Sequence, residues 1–259
     1  MNKTTFVILS ISSRIDSLNL LVESIRKFPK FDNIDINLIF QDDLDLTTAN
    51  IKNKHLYANI FVYPELLGCH TARVILLNKI KYDKYINLDD DMELCEHTDY
   101  SSPLSKVDEK GVGFILTNWA RNEKLMLAKV PRKRHEYVKQ VFCYQGGGMI
   151  YNNEIADIMR KLKQTKATFD HEWSLTSYLN GYTNYRYLGS LAIHKIMSKG
   201  GMNQFMAENE AVLPLKDYIN FRKAKKQRGN GLDYLIPLDK DLKQSAKQLH
   251  EKRRIHKEF

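Results

Sequence analysis

The stretch Tyr85-Ile86-Asn87-Leu88-Asp89-Asp90-Asp91-Met92-Glu93-Leu94 decides how the chain is read, because a buried-strand pattern runs straight into three consecutive carboxylates. Adjacent like charges repel unless a cation lies among them, and hard cations such as Mn2+ or Mg2+ take carboxylate oxygens. An apolar strand ending in Asp-x-Asp therefore points to a metal site. Three aspartates in isolation are more often an acidic turn facing water, so the flanks decide between the two readings.

Working outward, strands and helices alternate. Residues 5–11 have strand composition, and Asp16 or Ser17 can cap a helix whose Leu18, Leu21, Val22 and Ile25 recur at helical spacing. A second strand, 36–40, ends in Gln41-Asp42-Asp43, and a third, 59–63, stops at Pro64. After Gly68, residues 70–80 read as a helix with Ala72, Ile75, Leu76 and Ile80 inward, leading into the Asp89 strand. This alternation predicts an α/β fold with a mixed, mostly parallel sheet flanked by helices, whose ligands bind beyond the carboxyl ends of the strands. Asp42, Asp43, Asp89 and Asp91 all sit at such ends.

No GxGxxG follows the first strand, where the sequence is Ser10-Ile11-Ser12-Ser13-Arg14, and no GxxxxGK[ST] occurs anywhere. Dinucleotide-oxidoreductase and P-loop readings are poor on that ground. A nucleotide can still be held by carboxylates on its base and ribose and by a divalent ion on its phosphates.

The second half begins with a polar stretch, 106–110, and a short strand, 112–116. A basic loop with Arg132, Lys133 and Arg134 follows Pro131. Gly146, Gly147 and Gly148 permit a close backbone approach to a ligand or a sharp bend. Asn152 or Asn153 can cap a helix with Ile155, Ile158, Met159 and Leu162 on one face. Residues 169–182 read as a helix with Asp170 and Glu172 in its first turn and Gly181 at its end. The plain reading of those two carboxylates is that they complement the helix dipole. Short strands at 185–188 and 191–194 follow, the second ending in His194; a histidine after an apolar run is ordinarily a hydrogen-bonded structural residue.

At 259 residues, 43% hydrophobic and 27% charged, the chain can bury one large core or two joined halves. Cys69, Cys95 and Cys143 are an odd number at unrelated spacings, which fits a reducing cytoplasm better than a disulfide framework. The apolar run at 6–9 is too brief for a signal peptide, and no stretch approaches a membrane span. Residues 215–259 carry 13 Lys and Arg against 6 Asp and Glu, an excess of seven out of a formal net charge of +9. The densest part, with Lys223, Lys225, Lys226 and Arg228, suits nucleic-acid phosphates or an anionic membrane face, and 239–259 reads as a basic helix.

The order of these features resembles the GT-A nucleotide-sugar glycosyltransferases, in particular family-2-like enzymes of bacterial or phage type, over about residues 5–196. The resemblance rests on the acidic end at Gln41-Asp42-Asp43, the Leu88-Asp89-Asp90-Asp91 element, Gln145-Gly146-Gly147-Gly148-Met149, the Asp170-His171-Glu172-Trp173 helix start before Gly181-Tyr182, and His194. It implies a catalytic domain over 1–196, with a nucleotide-sugar half (1–95) and an acceptor half (96–196). A lid and basic helical extension would occupy 197–259. It also implies donor contacts from Ser10, Arg14, Asp42, Asp43, Arg73, Asp89, Asp90 and Lys199. Acceptor-side positions would be Gly146, Gly147, Gly148 and Trp173, and Asp91 and His194 would hold Mn2+ or Mg2+. The catalytic base would be Asp170, with Glu172 as competitor because the usual Glu-Asp pair is altered here.

The activity so implied is transfer of a sugar, from UDP for preference, to an acceptor hydroxyl, with inversion favoured and retention open. The concentrated positive charge ranks a hydroxymethylated base in DNA ahead of a surface-glycan or lipid-linked acceptor. Two other classes stay in view: nucleotidyl transfer or metal-dependent phosphohydrolysis, which leaves the glycines and His194 without roles, and a non-enzymatic nucleic-acid-binding module.

Overall fold

Residues Thr4–Ile11 form β1, and its side chains alternate between two apolar layers: Phe6 and Ile8 enter one, Val7 and Leu9 the other. Burial on both faces is what a continuous apolar run at the centre of a sheet predicts. The computed structural model describes residues 3–42, 50–120, 136–140, 147–162 and 169–194. Asp43, Gly146, the basic loop with Arg132, Lys133 and Arg134, Lys199, and the tail with Lys223, Lys225, Lys226 and Arg228 lie outside these residues, as does the expected boundary near 197.

After a 3-10 turn at Ser12–Arg14, helix α1 covers Ile15–Arg26 and buries Leu18, Leu21, Val22 and Ile25 against the first layer. Each such side chain contributes about 1.5–3 kcal/mol when fully buried. The expected cap at Asp16 or Ser17 is corrected: both residues lie inside the helix, whose N-cap is Arg14. Strand β2 is Asp35–Gln41, β3 is Asn59–Val62, helix α2 is Cys69–Lys79 and β4 is Lys84–Asp89. Helix α2 is buried on more than the expected stripe, because Thr71, Arg73, Val74 and Leu77 are covered as well as Ala72 and Leu76. It packs against β1 and β2 and against the later helix Asn153–Arg160.

Strand β5 is the two-residue Met92–Glu93, helix α3 is Ser101–Lys106, β6 is Val112–Ala120, β7 is Tyr137–Gln140, β8 is Met149–Asn152 and β9 is Thr183–His194. The expected strand at 112–116 runs on to Ala120, and the two short strands expected at 185–188 and 191–194 are one continuous strand. Asn152 caps the helix Asn153–Arg160, its side chain accepting from the Ile155 N–H at 3.1 Å.

The sheet order is β3-β2-β1-β4-β8-β6-β9-β5, with β7 also paired to β9. The first four strands are parallel, with α1 in the crossover from β1 to β2 and α2 in that from β3 to β4. Beyond β4 the sheet is mixed: β8 is antiparallel to β4 and β6, β6 and β9 are parallel, and β5 and β7 run antiparallel to β9. This second half therefore meets the first through β8, and the carboxyl ends of β4 and β9 are brought together by β5.

Candidate active site and metal centre

Three carboxylates in a row survive in this fold because each turns to a different cation. Asp89, at the end of β4, accepts from Arg73 Nη2 at 2.9 Å. Asp90 accepts from Ser10 Oγ at 2.7 Å and from Arg14 Nη1 at 2.9 Å. Asp91 faces His194 Nε2 at 3.1 Å, with Arg14 Nη1 at 3.5 Å from its other oxygen. The repulsion that suggested a metal is thus already offset, in part, by protein groups.

Register explains how His194 reaches the aspartates. The turn at Asp90 and Asp91 leads into β5, whose Met92 pairs with His194 in β9. One oxygen each from Asp89 and Asp91 and a ring nitrogen of His194 lie within 4.8 Å of one another. Hard carboxylate oxygens with one imidazole suit Mn2+ or Mg2+. Asp91 is buried, and among the described residues its Oδ1 has no close partner but His194, which suits that oxygen to a cation. The residues present fit a divalent ion, held by Asp89, Asp91 and His194.

The electrostatics follow from burial. Desolvation pushes the Asp90 carboxyl up to about 6, although Arg14 and the Ser10 hydrogen bond pull the other way. At His194, burial alone would lower the imidazole, but the Asp91 hydrogen bond and the charges of Asp91 and Asp89 outweigh it and raise it. Burial would lower the Arg14 guanidinium, but the charge and hydrogen bond of Asp90, followed by the charges of Asp91 and Asp89, outweigh it and raise it.

Gly147 closes the other side. A Cβ there would run into Met92 Sδ and come within 2.9 Å of Asp89 Oδ2, so only glycine lets the backbone lie against the carboxylate. Gly148 has φ of +75° and donates its N–H to the Asn87 carbonyl at 2.7 Å, while its own carbonyl accepts from Thr117 at 2.9 Å. Strand β4 and strand β6 are bridged by this one residue.

The structure places the other expected residues as follows. Asp90 and Ser10 are buried and hydrogen-bonded to each other, with Arg14 also on Asp90, so they build the turn. Arg73 is wholly buried and pairs with Asp89. Trp173, expected on the acceptor side, has no exposed surface and packs against Phe114, Tyr151 and His70. Asp42 follows β2 with φ of +59°, its carbonyl held by Ser12 Oγ. Asp170 and Glu172 occupy the first turn of the helix Phe169–Leu179, and their side chains lie outside what is described.

Two positions escaped sequence reasoning. Gln41, seen only as a flank of the aspartates, is fully buried and its Oε1 accepts the N–H groups of Leu67 and Gly68 at 2.8 and 3.0 Å, which fixes the start of α2. A buried glutamine at a strand end beside an acidic pair is the signal that could have found it. Asn184 carried no local signal at all.

This architecture, a parallel nucleotide-type half joined through an antiparallel strand to a mixed half with acidic residues at the junction, is the GT-A glycosyltransferase fold. GalNAc-T7, solved with UDP, GalNAc and Mn2+, matches with a TM-score of 0.57 at 14% identity over 99% of this chain and 55% of that one. S. aureus TarS residues 1–349, solved with UDP-GlcNAc, matches with a TM-score of 0.59 at 14% identity over 98% and 72%. The chain thus spans about half the length of the GalNAc-T7 chain it matches. No family model matches the chain, and no curated protein matches it in sequence.

Proposed function

We propose that this chain is a metal-dependent glycosyltransferase that moves a sugar from a nucleotide-sugar donor, UDP-linked for preference, to an acceptor hydroxyl with inversion. The observation that carries it is the convergence of Asp89, Asp91 and His194 beyond the carboxyl end of β4 in a GT-A fold. The two solved relatives contain UDP or UDP-GlcNAc, and one also contains Mn2+, which supports the same donor class here.

In this reading Asp89, steadied by Arg73, accepts from the donor ribose, and Asp42 lies toward the base. A divalent ion, when bound, supplies charge neutralisation to the departing diphosphate. Gly147 lets the backbone lie against Asp89 without displacing the carboxylate. Asp170 takes the proton of the acceptor hydroxyl, and Glu172 is the second candidate for that step. A metal-dependent phosphohydrolase would use the same carboxylates, but it gives no reason for a backbone pressed against Asp89 at Gly147.

For the acceptor, the excess of seven positive charges over residues 215–259 supports a polyanion, and we assign a hydroxymethylated base in DNA. The test is a screen of UDP-sugars with Mn2+ for donor hydrolysis, followed by sugar incorporation into hydroxymethylated DNA and into lipid-linked and polysaccharide acceptors at low salt. Hydrolysis in the Asp170→Asn variant is expected to fall by about a hundredfold with donor affinity kept. Transfer to a glycan with none to DNA would overturn the acceptor and leave the glycosyltransferase standing; no metal-dependent turnover of any nucleotide sugar would overturn both.

A further inference from the structure

One side chain ties the helix Phe169–Leu179 to the sheet. Asn184, the second residue of β9, is fully buried. Its Oδ1 accepts from the Phe114 backbone N–H of β6 at 3.0 Å and from Ser177 Oγ at 3.0 Å, and its Nδ2 donates to the Ser174 carbonyl at 2.9 Å. A single carboxamide therefore spans two strands and the helix. Ser174 and Ser177 are themselves fully buried. Strand β6 comes close enough only because residue 113 has no side chain: a Cβ on Gly113 would run into both Ser177 Oγ and Asn184 Oδ1. A buried polar network with its partners in place is rigid, and breaking one member leaves others without partners.

The placement of this network matters more than its strength. The helix ends at a turn through Gly181, with φ of +91°, and the Tyr182 N–H returns to the Ser177 carbonyl at 3.2 Å. Helix and β9 are thus joined by a short turn, and the first turn of the helix lies at its end away from that connection. Asp170 and Glu172 lie in that first turn, and Asn184 grips the same helix one to two turns further on.

We propose that Asn184 is a positioning residue for sugar transfer: through Ser174 and Ser177 it fixes the rotation and axial setting of the helix, and with them the first-turn carboxylate that takes the acceptor proton. This rests on the general-base reading above. Misplacing a reacting group by about 1 Å can cost on the order of a hundredfold in rate, so a grip of this kind is read in kcat before it is read in binding.

The experiment is a double-mutant cycle read as Mn2+-dependent hydrolysis of a UDP-sugar, with water as acceptor and UDP affinity measured alongside. Asn184→Ala is expected to lower kcat about 10- to 100-fold while donor KM and UDP affinity stay within about twofold. Ser177→Ala, a gentler change that keeps the fold if Asn184→Ala does not, is expected to lower kcat about 3- to 10-fold. Added to Asp170→Asn, either change should cost little more, because position no longer matters once the base is gone. A merely structural residue would instead give losses that multiply, and that result, or wild-type kcat in both variants, overturns the proposal. Full activity in Asp170→Asn would remove Asp170 as the base without touching Asn184. The cycle with Glu172→Gln then decides, losses that fail to multiply supporting the inference and losses that multiply overturning it.

Discussion

Arg73 Nη2 lies 2.9 Å from Asp89 Oδ1, and the two ends of this ion pair differ in burial: the Arg73 side chain has no exposed surface, whereas that of Asp89 is 32% exposed. A charge on the buried helix α2 thereby holds the orientation of a carboxylate at the mouth of the site. The pair supports a carboxylate of the candidate metal cluster, and losing outer groups of this type typically costs about 10- to 100-fold in metal affinity.

Replacing Arg73 with Met should cost about 2–3 kcal/mol of unfolding free energy, less than the ~3–5 kcal/mol of a fully buried pair because Asp89 is partly solvated. The Mn2+-dependent affinity for UDP should fall at least about tenfold as Asp89 loses its fixed orientation. Denaturant unfolding and calorimetric titration check the two effects separately. Lost stability with unchanged affinity would make Arg73 a core residue only.

Asp91→Asn keeps side-chain size but removes the charge that faces His194. Divalent-dependent UDP binding is expected to drop about a hundredfold or more, with the fold intact by circular dichroism. Unchanged Mn2+-dependent binding in that variant would remove Asp91 from the metal centre.

At Gly147 the effect is steric, since a Cβ meets Met92 Sδ and Asp89 Oδ2. Gly147→Ala should destabilise by about 1–3 kcal/mol and impair UDP binding in proportion to how far Asp89 is displaced. A structure of the variant with Asp89 unmoved and full donor affinity would show that the close approach is incidental.

His194 makes the site pH-dependent. Its folded value is raised, so in the metal-free protein its contribution to stability is fully present below the ordinary imidazole value and is lost as pH rises through the folded value. Metal binding runs the other way, because only the neutral ring coordinates. Mn2+ affinity should therefore weaken by about tenfold per pH unit below the His194 titration, with one proton released per ion bound. Isothermal titration in buffers of different ionisation enthalpy measures that proton, and a slope that survives His194→Gln would place the proton elsewhere.

Much of this was legible in the sequence because it is local. The alternation of Phe6 and Ile8 with Val7 and Leu9, the helical spacing of Leu18, Leu21, Val22 and Ile25, and the aspartates at the end of β4 each concern residues a few positions apart. Period and turn chemistry are encoded at that range, so the parallel half of the sheet and the junction carrying the acidic residues followed from pattern alone. Asp89, Asp91 and His194 were singled out by type and order, the last two as ligands and the first as a donor contact.

Tertiary structure decided what each of those residues faces. Three neighbouring aspartates look equivalent in sequence, yet Asp90 turns inward to Ser10 and Arg14 while Asp91 turns to His194, because a tight turn between β4 and β5 sends successive side chains in different directions. Trp173, which the resemblance puts on the acceptor side, is wholly covered, and Asn184, in a strand without any motif, joins β6, β9 and a helix. Long-range partners of this kind depend on sheet order and register, and the meeting of His194 with Asp91 is set by the pairing of β5 with β9. Local propensity fixes which segments become strands; which strands lie side by side, and so which charges are neutralised, is fixed only when the whole sheet closes over its two apolar layers.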